Sequence, residues 1–309
     1  MVITLTMNPA VDRTLQVDNF TLDRVNLIGE DRSDVGGKGI NVSKVIRQLG
    51  GRTKTVAFLG GPTGDFVGRE LERMRIGRIT IPVSGATRTN LKIVDLKQGT
   101  YTDLNEPGPV ISADELALFV KQLRSEVTAQ SLVVLTGSVP RGVPASIYRD
   151  LIADIQRIGA RAALDADREV LQLGVEAAPY LLKPNIHELE RLVGHTLEGT
   201  DAILAAARQL IGRGIRIVIV TLGEEGALFV TPERALRAKG LSVQVLSTVG
   251  AGDALMGAFC YGLDKEMPFE ETVRLCVGAS AAMISTEGTQ VPEIDRIHDL
   301  VNQVELETL

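Results

Sequence analysis

The sequence predicts an α/β protein: a mainly parallel sheet covered by helices on both faces, with a small β appendage. Three observations predict it. Short β-branched runs alternate with amphipathic stretches over most of the 309 residues, the pattern that right-handed crossovers lay down as a parallel sheet. Aromatic residues make up only 4% and tryptophan is absent, so Val and Ile in strands and Ala and Leu on helix faces must build the core. Two stretches, Val11–Asp34 and Thr87–Asp103, break the alternation and read as strands without helices. They divide the chain into a main domain (residues 1–10, 35–86 and 104–309) and a β lid made of two insertions (11–34 and 87–103).

The elements follow in order. Val2–Thr6 is a strand. Val42, Val45, Ile46 and Leu49 share one face of a helix over Gly39–Leu49, which Gly50-Gly51 ends. Thr55–Leu59 is a strand and Asp65–Met74 a charged amphipathic helix. In the lid, Arg88–Asp95 and Gly99–Asp103 are strands. Ser112-Ala-Asp-Glu115 is a capping box that opens a helix to Glu126. Leu132–Thr136, Ala162–Asp165, Tyr180–Leu182 and Arg216–Thr221 are strands, the last paired with Ala227–Val230. Helices occupy Pro144–Ile158, Asn185–Val193 and Asp201–Ile211. A strand at Val243–Leu246 then leads into helices at Gly252–Leu263, Glu270–Ile284 and Glu293–Val304.

Charge and composition narrow the partners. The net charge is −6, which argues against a phosphate-backbone footprint and so against nucleic acid. No run of about 18 apolar residues could cross a membrane. The N-terminal segment lacks a basic region followed by an apolar one. Two cysteines, Cys260 and Cys276, make no disulfide framework. A cytoplasmic protein is expected. An exposed β lid needs a cover, either a site beneath it or a second copy in a homodimer.

The chemistry gathers in glycine-rich turns at strand ends. Thr248-Val-Gly-Ala-Gly-Asp253 opens a helix. Gly250 and Gly252 let successive amides, that of Ala251 included, point one way at its N-terminus, which makes an anion hole. A carboxylate there would repel a bound phosphate. It makes sense if Asp253 takes a proton from an attacking hydroxyl; the plainer reading is a turn with an acidic first-turn residue. Neither a Walker A loop nor a dinucleotide fingerprint is present: Gly37-Lys38 runs on into Gly39, and the third glycine of the fingerprint is Leu255 or Val42. In Gly36-Gly37-Lys38-Gly39-Ile40-Asn41, Lys38 can face a phosphate and Asn41 sugar hydroxyls, or the segment is only a helix cap. Asn185 and Glu188 share a helix face and suit Mg²⁺ through water, or they cap the helix. Asp12 can accept two hydroxyls from a sugar, or it faces solvent without a role. His187, His195 and His298 lack metal-ligand spacing, and the cysteines read as core.

Taken together and in order, Asn8-Pro-Ala-Val-Asp12, Gly36–Asn41, Thr87-Arg88, Thr136-Gly-Ser-Val-Pro140, Lys183-Pro-Asn-x-x-Glu188, Thr221-Leu-Gly-x-x-Gly-Ala227 and Val249–Asp253 resemble the PfkB group of ribokinase-like carbohydrate kinases along essentially the whole chain. The resemblance implies a three-layer α/β/α fold with a β lid, ATP as co-substrate and Mg²⁺. It implies Asp253 as catalytic base, with Gly250, Ala251 and Gly252 around the anion hole. Lys183, Asn185, Thr221, Gly223 and Gly226 would bind nucleotide, with Asn185 and Glu188 at Mg²⁺-bound water. Asp12, Gly37, Lys38, Asn41, Arg88 and Ser138 would form the sugar-phosphate pocket. Within the group, Lys38, Arg24-Val-Asn26-Leu, Thr87-Arg-Thr-Asn-Leu and Thr102-Asp-Leu-Asn-Glu-Pro-Gly-Pro109 resemble the 1-phosphofructokinases most. Tagatose-6-phosphate kinases and 6-phosphofructokinases are the neighbouring alternatives. Some members bind a monovalent cation; Ser247 and Gly288 stand in matching places, whereas Gln290 replaces a basic residue, and that site stays open.

Overall fold

Each central strand serves two cores, because successive side chains leave opposite faces of a sheet. In Leu132–Thr136, Val133 and Leu135 join one buried cluster while Leu132 and Val134 join another. The computed structural model describes all of residues 1–309. The first part of the chain gives β1 (Val2–Thr6), β2 (Ala10–Val17), β3 (Glu30–Gly36), α1 (Lys38–Gln48), β4 (Thr53–Leu59), α2 (Gly61–Arg73), β5 (Gly77–Pro82), β6 (Arg88–Asp95) and β7 (Thr100–Asn105). The middle gives α3 (Ala113–Glu126), β8 (Leu132–Thr136), α4 (Ile147–Arg157), β9 (Arg161–Asp165), α5 (Arg168–Glu176), β10 (Leu181–Leu182), α6 (Ile186–Val193) and α7 (Gly199–Gly212). The last part gives β11 (Ile217–Thr221), β12 (Ala227–Val230), β13 (Ala235–Ala238), α8 (Ala251–Asp264), α9 (Phe269–Ile284), α10 (Ile294–Val301) and β14 (Leu306–Thr308).

The large sheet has ten strands in the order β14-β13-β12-β11-β10-β9-β8-β1-β4-β5. Seven, from β5 to β11, are parallel, and β12, β13 and β14 add on antiparallel. Helices α3 to α7 pack on one face, and α1, α8, α9 and α10 on the other, with α2 beside α1. This is a three-layer α/β/α sandwich. After β1 the chain moves outward to β4 and β5, then returns to β8 on the other side of β1. The helices α1 and α4 that follow β1 and β8 lie on opposite faces. That reversal leaves a crevice outside the carboxyl ends of the strands, where ligands bind in open α/β sheets.

The second sheet has four strands, β3-β2-β6-β7, and stands over that crevice. Strands β2 and β6 are parallel, with β3 and β7 antiparallel outside them.

Several sequence expectations need correction. Val243–Leu246 forms no strand. The edge beside β12 is already taken by β13, which β14 covers, so this run lies along the end of α9 and gives the amides of Leu246 and Ser247 to the Ile284 carbonyl. Strands β5, β13 and β14 and helix α5 are further elements that the sequence expectations do not include. Helix α4 starts at Ile147 instead of Pro144, α2 starts at Gly61, and α10 ends at Val301. The capping box at Ser112 forms as read: its hydroxyl accepts from the Glu115 amide, and the Glu115 carboxylate accepts from the Ser112 amide at 2.7 Å.

Candidate active site

Asp253 sits in the first turn of α8 and is buried, at 6% exposure. The helix begins at Gly250, whose φ of 84° lies in the left-handed region that an L side chain rarely takes. No side chain caps this end, and the amides of Ala251, Gly252 and Asp253 find no acceptor within the chain, leaving three donors aimed outward. Helices α1 and α8 pack together, so Asn41 of α1 reaches Asp253: its Nδ2 donates to Oδ2 at 2.9 Å. Burial pushes the Asp253 carboxyl up to about 6, against the pull of the nearby Lys38 ammonium. A carboxylate so placed is ionised at neutral pH yet basic enough to accept a proton.

Beside it, the last residue of β9 supplies a second buried acid. Asp165, at 2% exposure, is 3.2 Å from the Lys183 ammonium and 3.7 Å from that of Lys38. Lys183 follows β10, and Lys38 opens α1 after Gly37, whose φ is 114°. Three strand ends therefore bring one carboxylate and two ammonium groups together near the anion hole. The Asp165 carboxylate raises the affinity of Lys38 for its proton, so Lys38 stays charged.

The lid supplies the facing wall. Asp12 of β2 accepts a hydrogen bond from Asn90 Nδ2 of β6 at 2.8 Å, and burial raises its carboxyl above the usual range. Arg88 donates to the carbonyls of Glu106 and Asn8, both at 3.2 Å. Between the walls lies a cleft of about 600 Å³, with only two hydrophobic residues, Leu91 and Val249, among the 23 that line it. Buried polar atoms along it lack partners: Asn41 Oδ1, Arg88 Nε, Asn90 Oδ1 and Thr289 Oγ1. Buried polar groups are normally satisfied, so these fit a polar, hydroxyl-bearing ligand.

Twelve of the residues singled out from sequence line this one cleft: Asp12, Gly37, Lys38, Asn41, Arg88, Lys183, Asn185, Glu188, Thr221, Gly250, Gly252 and Asp253. Four do not. Ser138 is exposed just outside, 3.5 Å from Asn8 Nδ2. Ala251 contributes through its backbone. Gly223 and Gly226 bound a short 3₁₀ turn beyond Thr221. Asn185 and Glu188 form a reciprocal capping box: Glu188 Oε2 accepts from the Asn185 amide at 2.8 Å and Asn185 Oδ1 from the Glu188 amide at 2.9 Å. That leaves Glu188 Oε1 without a partner at the edge of the cleft. No three carboxylate, histidine or cysteine side chains cluster as a metal cage. The donor set fits a Mg²⁺ ion that keeps its waters and is touched by Glu188 through one of them. Of the two residues noted for a monovalent cation, Gly288 lines the cleft, while the Ser247 hydroxyl accepts from the Val249 amide.

Sequence reasoning missed Asp165 and Lys92, and it quoted Asn90 only inside the Thr87-Arg-Thr-Asn-Leu segment, without a role. The readable signal for Asp165 was a charged residue closing an apolar strand at the end where the glycine motifs lie. It also missed Lys44, a buried ammonium donating to the Val35 and Thr289 carbonyls and lowered by burial to about 8.

A family model for pfkB family carbohydrate kinases matches residues 1–296. The chain belongs to the pfkB family of carbohydrate kinases. The 1-phosphofructokinase of Rhodobacter capsulatus is 35% identical over 310 residues, covering 100% of this chain and 98% of that protein. The 1-phosphofructokinase of Xanthomonas campestris pv. campestris is 37% identical over 290 residues, covering 92% and 91%. Among solved structures, the phosphofructokinase-2 of Escherichia coli in complex with substrates and products superposes with a TM-score of 0.93 at 29% identity, covering 98% of each chain. The same enzyme has been solved with potassium (TM-score 0.92) and in a tetrameric inhibited form (TM-score 0.90). Asp253 and the free amides at the start of α8 stand side by side in this cleft. No helix is long and apolar enough to cross a membrane.

Proposed function

We propose that this pfkB-family kinase transfers the γ-phosphoryl group of ATP to the C6 hydroxyl of fructose 1-phosphate, giving fructose 1,6-bisphosphate. The observation that carries the chemistry is the buried Asp253 carboxylate at the N-terminus of α8, beside three unpartnered amides. Support for the substrate comes from the curated relatives, which bear the name 1-phosphofructokinase over the full length.

In this reading the Asp253 carboxylate takes the proton of the attacking hydroxyl, oriented by its hydrogen bond from Asn41. The oxygen attacks the γ-phosphorus in line as the bond to the ADP leaving oxygen breaks. Charge on the transferring group is met by the amides of Ala251, Gly252 and Asp253 and by Lys38 and Lys183. Thr221, Asn185, Gly223 and Gly226 border the nucleotide. Mg²⁺, carried by the nucleotide phosphates and reached by Glu188 through water, would neutralise phosphate charge. The lid, residues 11–34 and 87–103, closes over the sugar and keeps water from the phosphoryl group. Its exposed apolar residues, Leu22, Val25, Leu27 and Ile28, pair with a second copy in a homodimer. The protein works in the cytoplasm.

The test is turnover with Mg-ATP and, separately, fructose 1-phosphate, tagatose 6-phosphate and fructose 6-phosphate. A kcat/KM preference of at least about tenfold for fructose 1-phosphate, equal to about 1.4 kcal/mol of differential transition-state binding, is expected. Preference for either 6-phosphate would keep Asp253 as base and overturn the sugar assignment.

A further inference from the structure

Four cationic side chains line the cleft: Lys38, Arg88, Lys92 and Lys183. Three are already engaged. Lys38 and Lys183 share Asp165, and Arg88 gives its terminal nitrogens to the carbonyls of Glu106 and Asn8. Lys92 alone has neither an ion pair nor a side-chain hydrogen bond, whereas Arg88 and Asn90, its neighbours along the same face of β6, both hold partners. It stands on the lid, half-buried, two residues beyond Asn90 and four beyond Arg88. Strand alternation puts all three on the face that looks into the cleft. Thr14 of β2 and Asp103 of β7 are its register partners, and both line the same cleft. Asp103 does not come within ion-pair distance of it, so the Lys92 charge stays uncompensated.

A sugar phosphate that receives a second phosphoryl group presents charge at two separate ends. The main-domain end of this cleft is equipped for the transferred group, with the free amides of α8 and the Asp165-linked lysines. The end that belongs to the lid needs its own cation, because a phosphate enclosed without a charged partner loses its hydration for nothing in return. The Arg88 fork is largely committed to backbone. We infer that Lys92 binds the phosphate already present on the sugar substrate and so selects phosphorylated over unphosphorylated sugars. The inference rests on the sugar-phosphate kinase reading above and names the residue that grips the substrate's own phosphate.

The experiment compares wild type, Lys92→Met and Lys92→Arg with fructose 1-phosphate and Mg-ATP. Lys92→Met should raise KM for fructose 1-phosphate about 10- to 100-fold, the range of a lost charge-assisted hydrogen bond. Its kcat and its KM for ATP should stay within about threefold of wild type, since no transition-state contact is removed. Lys92→Arg should regain most of the affinity. The melting temperature should hold within about 2 °C, because a side chain without partners carries little stability. An unchanged KM, an equal fall in kcat, or a parallel rise in KM for ATP overturns the inference. Wild-type preference for another sugar phosphate would instead correct the proposed substrate, and the same variants measured on that sugar would then decide the role of Lys92.

Discussion

The two walls of the cleft are built differently. The floor, at the carboxyl ends of the parallel strands, pairs its charges internally: Asp165 with Lys38 and Lys183, and Asp253 with Asn41. Its charged groups hang on elements that are buried on both faces. The lid faces the cleft with Asp12, Asn90 and Lys92, while its outer strand β7 is exposed along all six residues. A wall whose charges are held by fixed partners is preorganised and needs little rearrangement during reaction. A thin sheet with unspent groups is suited to move and to take its final partners from the ligand. On the proposed function, the chemistry falls to the floor and the selection of substrate to the lid.

The largest effect expected from that division is at Asp253. Asp253→Asn should lower kcat by about 10⁴-fold with little change in KM, because the lost contact is a proton acceptance made in the transition state. The same change should stabilise the fold. Burial raises this carboxyl from 3.8 to about 6, so the folded protein holds the proton more tightly than the unfolded chain. The cost of the buried charge is absent below pH 3.8 and grows until pH passes about 6. Above that, Asn should gain up to about 3 kcal/mol over Asp. Denaturant unfolding at pH 4 and pH 7.5 reads the gain, which should appear only at the higher pH. Near-normal kcat, or an equal gain in stability at both values, would break the contrast between a floor that holds the reacting groups and a lid that takes its partners from the ligand.

A smaller effect is expected one step away, at Lys38. Its ammonium is the strongest influence holding the Asp253 carboxyl down against burial. In wild type, kcat/KM should rise with pH through about 6 and then level off, since the base works ionised. Lys38→Met should move that limb upward by about one unit and lower the plateau by about 10- to 100-fold through loss of a phosphate contact. A lowered plateau with an unmoved limb would make Lys38 a binding group without electrostatic hold on the base.

How much of this was legible depended on whether local chemistry or long-range pairing decided the element. The capping boxes at Ser112 and Asn185, and strands such as Leu132–Thr136, announce themselves within a few residues. Val243–Leu246 shows the limit: its alternation suits a strand, but no sheet edge is free to receive it. Asn185 and Glu188 were readable both as helix caps and as cation-linked groups, and the geometry makes them caps that also border the cleft. Asp165 and Lys92 gave no motif. Their importance lies in what the fold sets beside them: two lysines from separate parts of the chain in one case, and no ion-pair partner in the other. Pairings of that kind are set by strand order, which no window of sequence contains.

The smallest effect on catalysis should come from the outside of the lid. Val25 and Leu27 are 92% and 83% exposed, beside Leu22 and Ile28. Apolar side chains gathered on one loop and left to water mark a surface that another surface covers, and a two-fold copy of the same lid is the simplest cover. With the lid-to-lid homodimer proposed above, Leu27→Asp should convert dimer to monomer at micromolar concentration in sedimentation velocity. Stability of the isolated chain should change by less than about 0.5 kcal/mol, since the residue makes no buried contact within it. Loss of the dimer with kcat intact and KM for the sugar phosphate raised would show that the partner steadies the lid and leaves the floor untouched. A dimer that survives the charge would place the interface elsewhere and leave the exposed loop without a partner.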